Sequence, residues 1–308
     1  MDIRASLLKT APIPARQFAL FRIAFGAYLA IHFAQLIPWG PELFSREGTL
    51  GNAELSPLYG VFPNVLSRWD SPAFATALLT SLVVLSVLFA LGLWRRFAAV
   101  ALWYGWACLF NRNPLISNPS IAYVGLLLLL STLVPARERW RIGARSRDGG
   151  DEQFEFPAWV LFAAWTLMAV GYTYSGIVKL LSPSWLDGTA IWHVLNSPLA
   201  RDGWLRDAMV GLPMSVFRAF TWSALALELA FLPLALWSRT RPFVWLAMAG
   251  MHIGIVLLVS FADLSIGMLM LHVFTYDAAW GEAAGRAWRG WRARGGARAP
   301  QLQGGGAA

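Results

Sequence analysis

The chain has 308 residues, of which 57% are hydrophobic and 14% charged, and it carries a formal net charge of +8. A single cysteine, Cys108, excludes an intrachain disulfide and a cysteine metal cluster, and four scattered histidines show no ligand spacing such as HExxH. The positive charge lies in short stretches between apolar runs, a pattern of membrane topology signals rather than of a nucleic-acid-binding face.

The leader carries Arg4, Lys9 and Arg16, and the apolar run after it is not a cleavable signal. That run, Phe18 to Ile37, is too long, holds Arg22 and has no small-residue cleavage site behind it. Eight apolar segments follow one another at roughly 15–38, 73–94, 97–111, 119–135, 157–180, 214–237, 242–261 and 263–276. They predict an all-α, polytopic helical bundle in a lipid bilayer. A straight span needs ~20 residues, so the third, fourth and eighth are expected to be tilted or broken.

Seventeen of the 25 Lys and Arg fall on the ends that include both termini, and five (Arg46, Arg68, Arg112, Arg201, Arg206) fall in the opposite loops. This asymmetry predicts a multi-pass protein of the cell (inner) membrane with both termini in the cytoplasm. On the far side, loops 39–72 and 181–213 are long enough to be functional and are expected to cap the bundle. The loop 136–156 reads as charged and solvated. The division is a membrane domain over 1–279 and, over 280–308, an interfacial helix of alternating Trp and Arg followed by a disordered Gly/Ala tail.

Lys179 closes the fifth segment. It is one of two lysines against twenty-three arginines. Arginine stays protonated in proteins, whereas a desolvated lysine can act as base or nucleophile. Tyr172 and Ser175 share its helical face, and Gly176 leaves room for a close neighbour. The plain alternative is a lysine that snorkels to the interface. Glu228 lies within segment six, where an unpaired carboxylate costs at least ~2.5 kcal/mol. Arg22 is expected at similar depth and is the simplest partner; a proton relay is the alternative.

His252 and His272 lie inside segments seven and eight, and His32 near the outer end of segment one. Each is either a satisfied core histidine or a functional group; His252 is placed to face the Lys179 cavity from below. Arg218, early in segment six, either holds an anion or meets headgroups. Asn111-Arg112-Asn113-Pro114 with Ser117-Asn118-Pro119 forms either a plain turn or a polar floor for an outer cavity.

The stretch Tyr172-Thr173-Tyr174-Ser175-Gly176-Ile177-Val178-Lys179, followed by Ser184-Trp185-Leu186-Asp187-Gly188, resembles the HTTM membrane domain shared with vitamin K-dependent gamma-carboxylases. The family pattern is an aromatic, a small residue, Gly, two residues to a Lys, then Trp-x-acidic-Gly. Arg22, Arg112-Asn113-Pro114 and Glu228 extend the likeness, which covers Phe18 to Phe274. It implies a bacterial-type membrane enzyme, a carboxylase-like lyase. Lys179 would be the base for a vitamin K-type quinol that then reacts with oxygen, His252 and Glu228 would assist, and a lipophilic molecule or peptide would be the substrate.

Tyr172, Ser175, Trp185, Asp187, Arg112, Arg218 and His272 are the expected binding residues, and no metal is expected. The second lysine of the family pattern is Val178 here, its histidine is Pro119, and no large lumenal domain is expected after the last segment. Two other classes remain open: a non-enzymatic binding, immunity or assembly protein, and a DoxX-like subunit passing electrons from a quinone.

Overall fold

The computed structural model describes residues 13–135 and 156–296. The leader with Lys9, most of the charged loop and the tail from 297 lie outside the described residues. The chain forms two compact units, Met1–Thr275 and Tyr276–Ala308.

Every expected apolar segment is one helix, with limits within a few residues: α1 Ala15–Leu36, α2 Pro72–Leu91, α3 Arg95–Arg112, α4 Ser120–Leu133, α5 Ala158–Lys179, α6 Met214–Leu236, α7 Arg241–Leu258 and α8 Asp263–Thr275. No β-strand occurs among the described residues; Ala200 and Val259 form one isolated antiparallel bridge. Helices α1, α2, α5, α6 and α7 are long and apolar enough to cross a membrane. Helices α4 and α8, of 14 and 13 residues, rise only about 20 Å. Helix α3 is longer than its apolar run because Arg95, Arg96 and Arg112 continue it at either end.

The ends of the helices follow local chemistry. Ser71 caps α2 by accepting the Phe74 amide at 3.2 Å, and Pro72, which has no amide to satisfy, takes the first helical position. Gly92, at φ +73°, stops the same helix in the left-handed conformation.

Neighbouring helices pack in sequence: α1 on α2, α2 on α3, α3 on α4, and then α5 on α6 and α6 on α7. Helix α8 touches α1, α4, α5 and α7. A short helix ringed by four others can carry polar side chains because its neighbours, not lipid, satisfy them. The bundle is accordingly apolar outside and partly polar inside. Leu20, Ile31, Val84, Phe97, Phe243 and Leu246 are exposed, while Arg22, Ser86, Glu228, His252, Ser265 and His272 are buried.

Three buried arginines tie down the last carbonyls of neighbouring helices at one end of the bundle. Arg22 Nη1 donates to Ala90 O at 2.6 Å and Phe89 O at 3.2 Å, at the end of α2. Arg95 reaches Ser131 O, and its Nη2 donates to Val134 O at 2.7 Å beyond α4. Arg241 Nε donates to Ala235 O at 2.8 Å in the last turn of α6. A helix C-terminus leaves four carbonyls unsatisfied and concentrates negative charge, so a forked cation suits it. The expected Arg22–Glu228 pair is therefore not formed: Arg22 is committed to the end of α2, and Glu228 has a different partner.

At the opposite end, Asn111-Arg112-Asn113 does more than turn the chain between α3 and α4. It clamps the first long loop. Asn64 Nδ2 donates to Asn111 Oδ1 at 2.7 Å and to Cys108 O at 2.9 Å, and Ser56 Oγ donates to Asn111 O at 2.7 Å. Arg112 Nη2 donates to Ser45 O at 3.2 Å, and Asn113 Nδ2 to Leu43 O at 2.9 Å.

The second unit contains α9, Ala278–Gly296, in which Glu282 and Arg286 pair one turn apart at 3.5 Å.

Candidate functional site

Helix α5 presents Tyr172, Ser175, Gly176 and Lys179 along one face, and that face meets α6. The contact is close because Gly176 has no side chain: a Cβ there would stand 3.0 Å from the Leu229 amide nitrogen. Thr173 tightens the seam, donating to Glu228 O at 3.4 Å and accepting from Leu232 N at 3.3 Å.

This approach delivers Lys179 to Glu228. Lys179 Nζ donates to both carboxylate oxygens at 2.5 Å and to Ser175 Oγ at 3.1 Å. The Glu228 side chain is 4% exposed and that of Lys179 23%. Beyond the end of α5 the loop turns back, and the Trp185 ring lies 4.6 Å from Lys179 Nζ. That placement gives a cation–π contact and shields the amine from the looped side.

Below the ion pair, three rings from three helices converge. The Tyr172 ring centroid lies 5.7 Å from His252 of α7 and 5.9 Å from His272 of α8; the two histidines are 6.0 Å apart. Phe231 and Trp245 border the group, at 4.8 Å from Tyr172 and 5.3 Å from His272. His252 Nδ1 shares a hydrogen bond with Ser265 Oγ at 3.0 Å. His272 Nδ1 lies 3.0 Å from Met268 O, and a carbonyl only accepts, so Nδ1 carries the proton. In the neutral ring Nε2 is then left with a lone pair. Tyr172 Oη, His252 Nε2 and His272 Nε2 are all buried and have no hydrogen-bond partner among the described residues.

The structure thus brings Tyr172, Ser175, Lys179, Glu228, His252, His272 and Trp185 into one region. It leaves out three expected residues. Asp187 accepts from the Thr189 hydroxyl at 2.6 Å and the Thr189 amide at 2.9 Å. Those bonds hold its carboxyl below the ordinary carboxylate value and close the turn at Gly188, φ +83°. Arg218 is exposed and packs its stem against Gly188. Arg112 belongs to the loop clamp. Sequence reasoning missed Thr173 and Ser265, whose only signal was a hydroxyl within an apolar helix.

Among the described residues, eight apolar helices, an apolar exterior and an internal cluster of ionisable side chains define a polytopic helical membrane protein. The chain belongs to the HTTM domain family, which matches residues 10–280, a membrane domain related to vitamin K-dependent carboxylase. No curated protein and no solved structure matches it.

Proposed function

We propose that the protein is a membrane enzyme that binds a lipophilic quinol between α5, α7 and α8 and moves a proton with the Lys179–Glu228 pair. The observation that carries this reading is the set of three buried polar atoms left without partners on Tyr172, His252 and His272. Each such atom costs about 1–3 kcal/mol when unsatisfied. Three on one patch suit a ligand with both donor and acceptor oxygens on a flat ring. The free His272 Nε2 accepts from a hydroxyl, Tyr172 Oη donates to or accepts from an oxygen, and the surrounding aromatic rings receive the ring faces. A quinol fits that donor set; a phospholipid headgroup, anionic and hydrated, does not.

The geometry of the pair supports one path for the proton. With Lys179 Nζ donating to both Glu228 oxygens, the carboxylate is the member with room for a further proton. Glu228 would be the residue that accepts a proton at its carboxylate, and Lys179, its charge then no longer balanced by Glu228, would supply positive charge beside the ligand oxygen. Lys179 and Glu228 work as one unit, and His252 and His272 orient the ring. When bound, the quinol supplies the reducing chemistry toward oxygen that the family relation suggests. The Lys179 end of the bundle is the extracytoplasmic end in this reading.

Vitamin K hydroquinone added to the purified protein tests the reading. A rise in melting temperature is expected in wild type, lost in Tyr172→Phe and His272→Ala. Extraction of phospholipid alone from the protein, with no shift on adding the quinol, would overturn it in favour of a non-enzymatic membrane protein whose Lys179–Glu228 pair is structural.

A further inference from the structure

A groove runs along the seam of α5 and α6 toward the end of the bundle where Arg22, Arg95 and Arg241 are buried, with a volume of about 240 Å³. Trp165 and Ala169 of α5, Ala235 of α6 and Arg241 of α7 line it from the buried side; Phe162 and Leu232 line it and are exposed. Ala169 and Ala235 help hold the space open, since each carries only a methyl group where a longer side chain would fill it. Arg241 closes one end. Its Nε donates to Ala235 O, and its guanidinium carbon lies 5.5 Å from the centre of the Trp165 ring. Arg239, in the turn that joins α6 to α7, is exposed. That turn lies between two residues of the lining, Leu236 and Arg241.

Size and lining narrow the occupant. Sites for compact small molecules begin near ~300 Å³, so this groove takes part of a longer molecule. On α5 the lining runs from Leu161 to Ala169, a rise of about 12 Å. One leaflet is half of a hydrocarbon core of ~30 Å, so the groove fits within a single leaflet. Arg241 apart, its lining offers little polarity: the Thr166 hydroxyl is turned back to Phe162 O at 2.9 Å. Helices α5 and α6 are both long and apolar enough to cross a membrane, so the exposed Phe162 and Leu232 face lipid. An acyl chain matches that length, shape and setting. The polar part of the same molecule then meets the α6–α7 turn, where Arg239 is presented. Basic sites between transmembrane helices at the positively charged end of a bundle select anionic headgroups, and a phosphate accepts the bonds that a guanidinium donates.

We propose that this groove binds one acyl chain of an anionic phospholipid, with the headgroup phosphate at Arg239 in the α6–α7 turn. The asymmetry of Lys and Arg in the sequence puts this end of the bundle, and so the lipid, in the cytoplasmic leaflet. The site is separate from the Tyr172–His252–His272 group and does not rest on the function proposed above.

Native mass spectrometry of the full protein in detergent tests this, with equal amounts of dioleoyl phosphatidylglycerol and deuterated dioleoyl phosphatidylcholine added. Wild type is expected to retain phosphatidylglycerol over phosphatidylcholine by about five-fold, the effect of one arginine near a charged headgroup. Arg239→Glu is expected to remove that preference. Thr166→Phe places a ring at the exposed edge of the groove and is expected to lower retention of both lipids. Thermal melts confirm that both variants are folded. Equal retention of the two lipids by wild type would overturn the proposal, as would an unchanged ratio in folded Arg239→Glu or unchanged retention in folded Thr166→Phe. Two further results would give the groove to another occupant and overturn it as well: displacement of the lipid by vitamin K hydroquinone, or loss of a protein dimer, with no change in lipid, in Thr166→Phe.

Discussion

Gly176 of α5 and Leu229 of α6 meet backbone to backbone, and this approach sets the reach of Lys179. A Cβ on Gly176 would stand 3.0 Å from the Leu229 amide nitrogen and 3.1 Å from its side chain. A backbone atom cannot swing away, so a branched side chain must part the helices. Gly176→Val is predicted to lose about 1–3 kcal/mol through overpacking and to draw Glu228 away from Lys179. A thermal melt reads the first effect. The second appears as a Gly176→Val protein in which a further Glu228→Gln change costs less than it does in wild type.

The ion pair itself makes a prediction of sign. Removing one member of a buried pair leaves the other uncompensated, at about 3–5 kcal/mol where both are fully buried. Lys179 is 23% exposed, so water relieves part of that cost. Lys179→Met is predicted to destabilise by about 2–4 kcal/mol, and Glu228→Gln by less, because the amine left behind has the more open side. The double variant Lys179→Met/Glu228→Leu is predicted to recover most of the loss. Additive single effects in that cycle would show that the two side chains do not interact.

The helices were legible in the sequence because a bilayer demands long apolar runs, and those runs are visible one residue at a time. The partner of Glu228 was not. Depth along a span favoured Arg22, but the deciding facts were lateral: which faces meet, and how nearly. Arg22 is taken by the carbonyls of Phe89 and Ala90, a demand that arises from where α2 stops and carries no residue signature. Tyr172, Ser175 and Lys179 could be grouped because they lie on a single helix at helical spacing. Asp263 drew no notice at the edge of an apolar run, although it joins His32 across 231 positions of sequence. The same contrast separates Asp187 from Trp185. They sit two residues apart in one motif, yet only Trp185 reaches the amine, because Thr189 draws Asp187 into a turn.

The first long loop is predicted to depend on Asn64. Its amide donates to Asn111 Oδ1 and Cys108 O while its own carbonyl oxygen accepts the Leu66 amide. Asn64→Ala strips partners from buried groups at about 1–3 kcal/mol. The loss falls on the loop, so limited proteolysis between residues 45 and 63 is expected to accelerate well below the melting temperature of the bundle. Quinol binding is expected to be unaffected, since none of these residues touches Tyr172, His252 or His272.

Trp185 is predicted to control access to Lys179. The ring lies 4.6 Å from the amine on the side where α5 ends and the loop begins, and Glu228 and Ser175 occupy other directions around the same nitrogen. A cation–π contact is worth about 0.5–2 kcal/mol depending on desolvation, so removing it should raise the population of exposed amine roughly 2- to 30-fold. The chain makes this easy to read, because Lys9 and Lys179 are its only lysines. Acylation by a water-soluble amine reagent, followed by peptide mass spectrometry, is expected to modify Lys179 slowly in wild type and faster in Trp185→Ala, with Lys9 as the internal reference. Glu228→Gln is expected to speed it as well, by freeing the nitrogen from the other side. If Trp185→Ala leaves the Lys179 rate unchanged relative to Lys9, the loop does not shield the amine and the ion pair alone sets its reactivity.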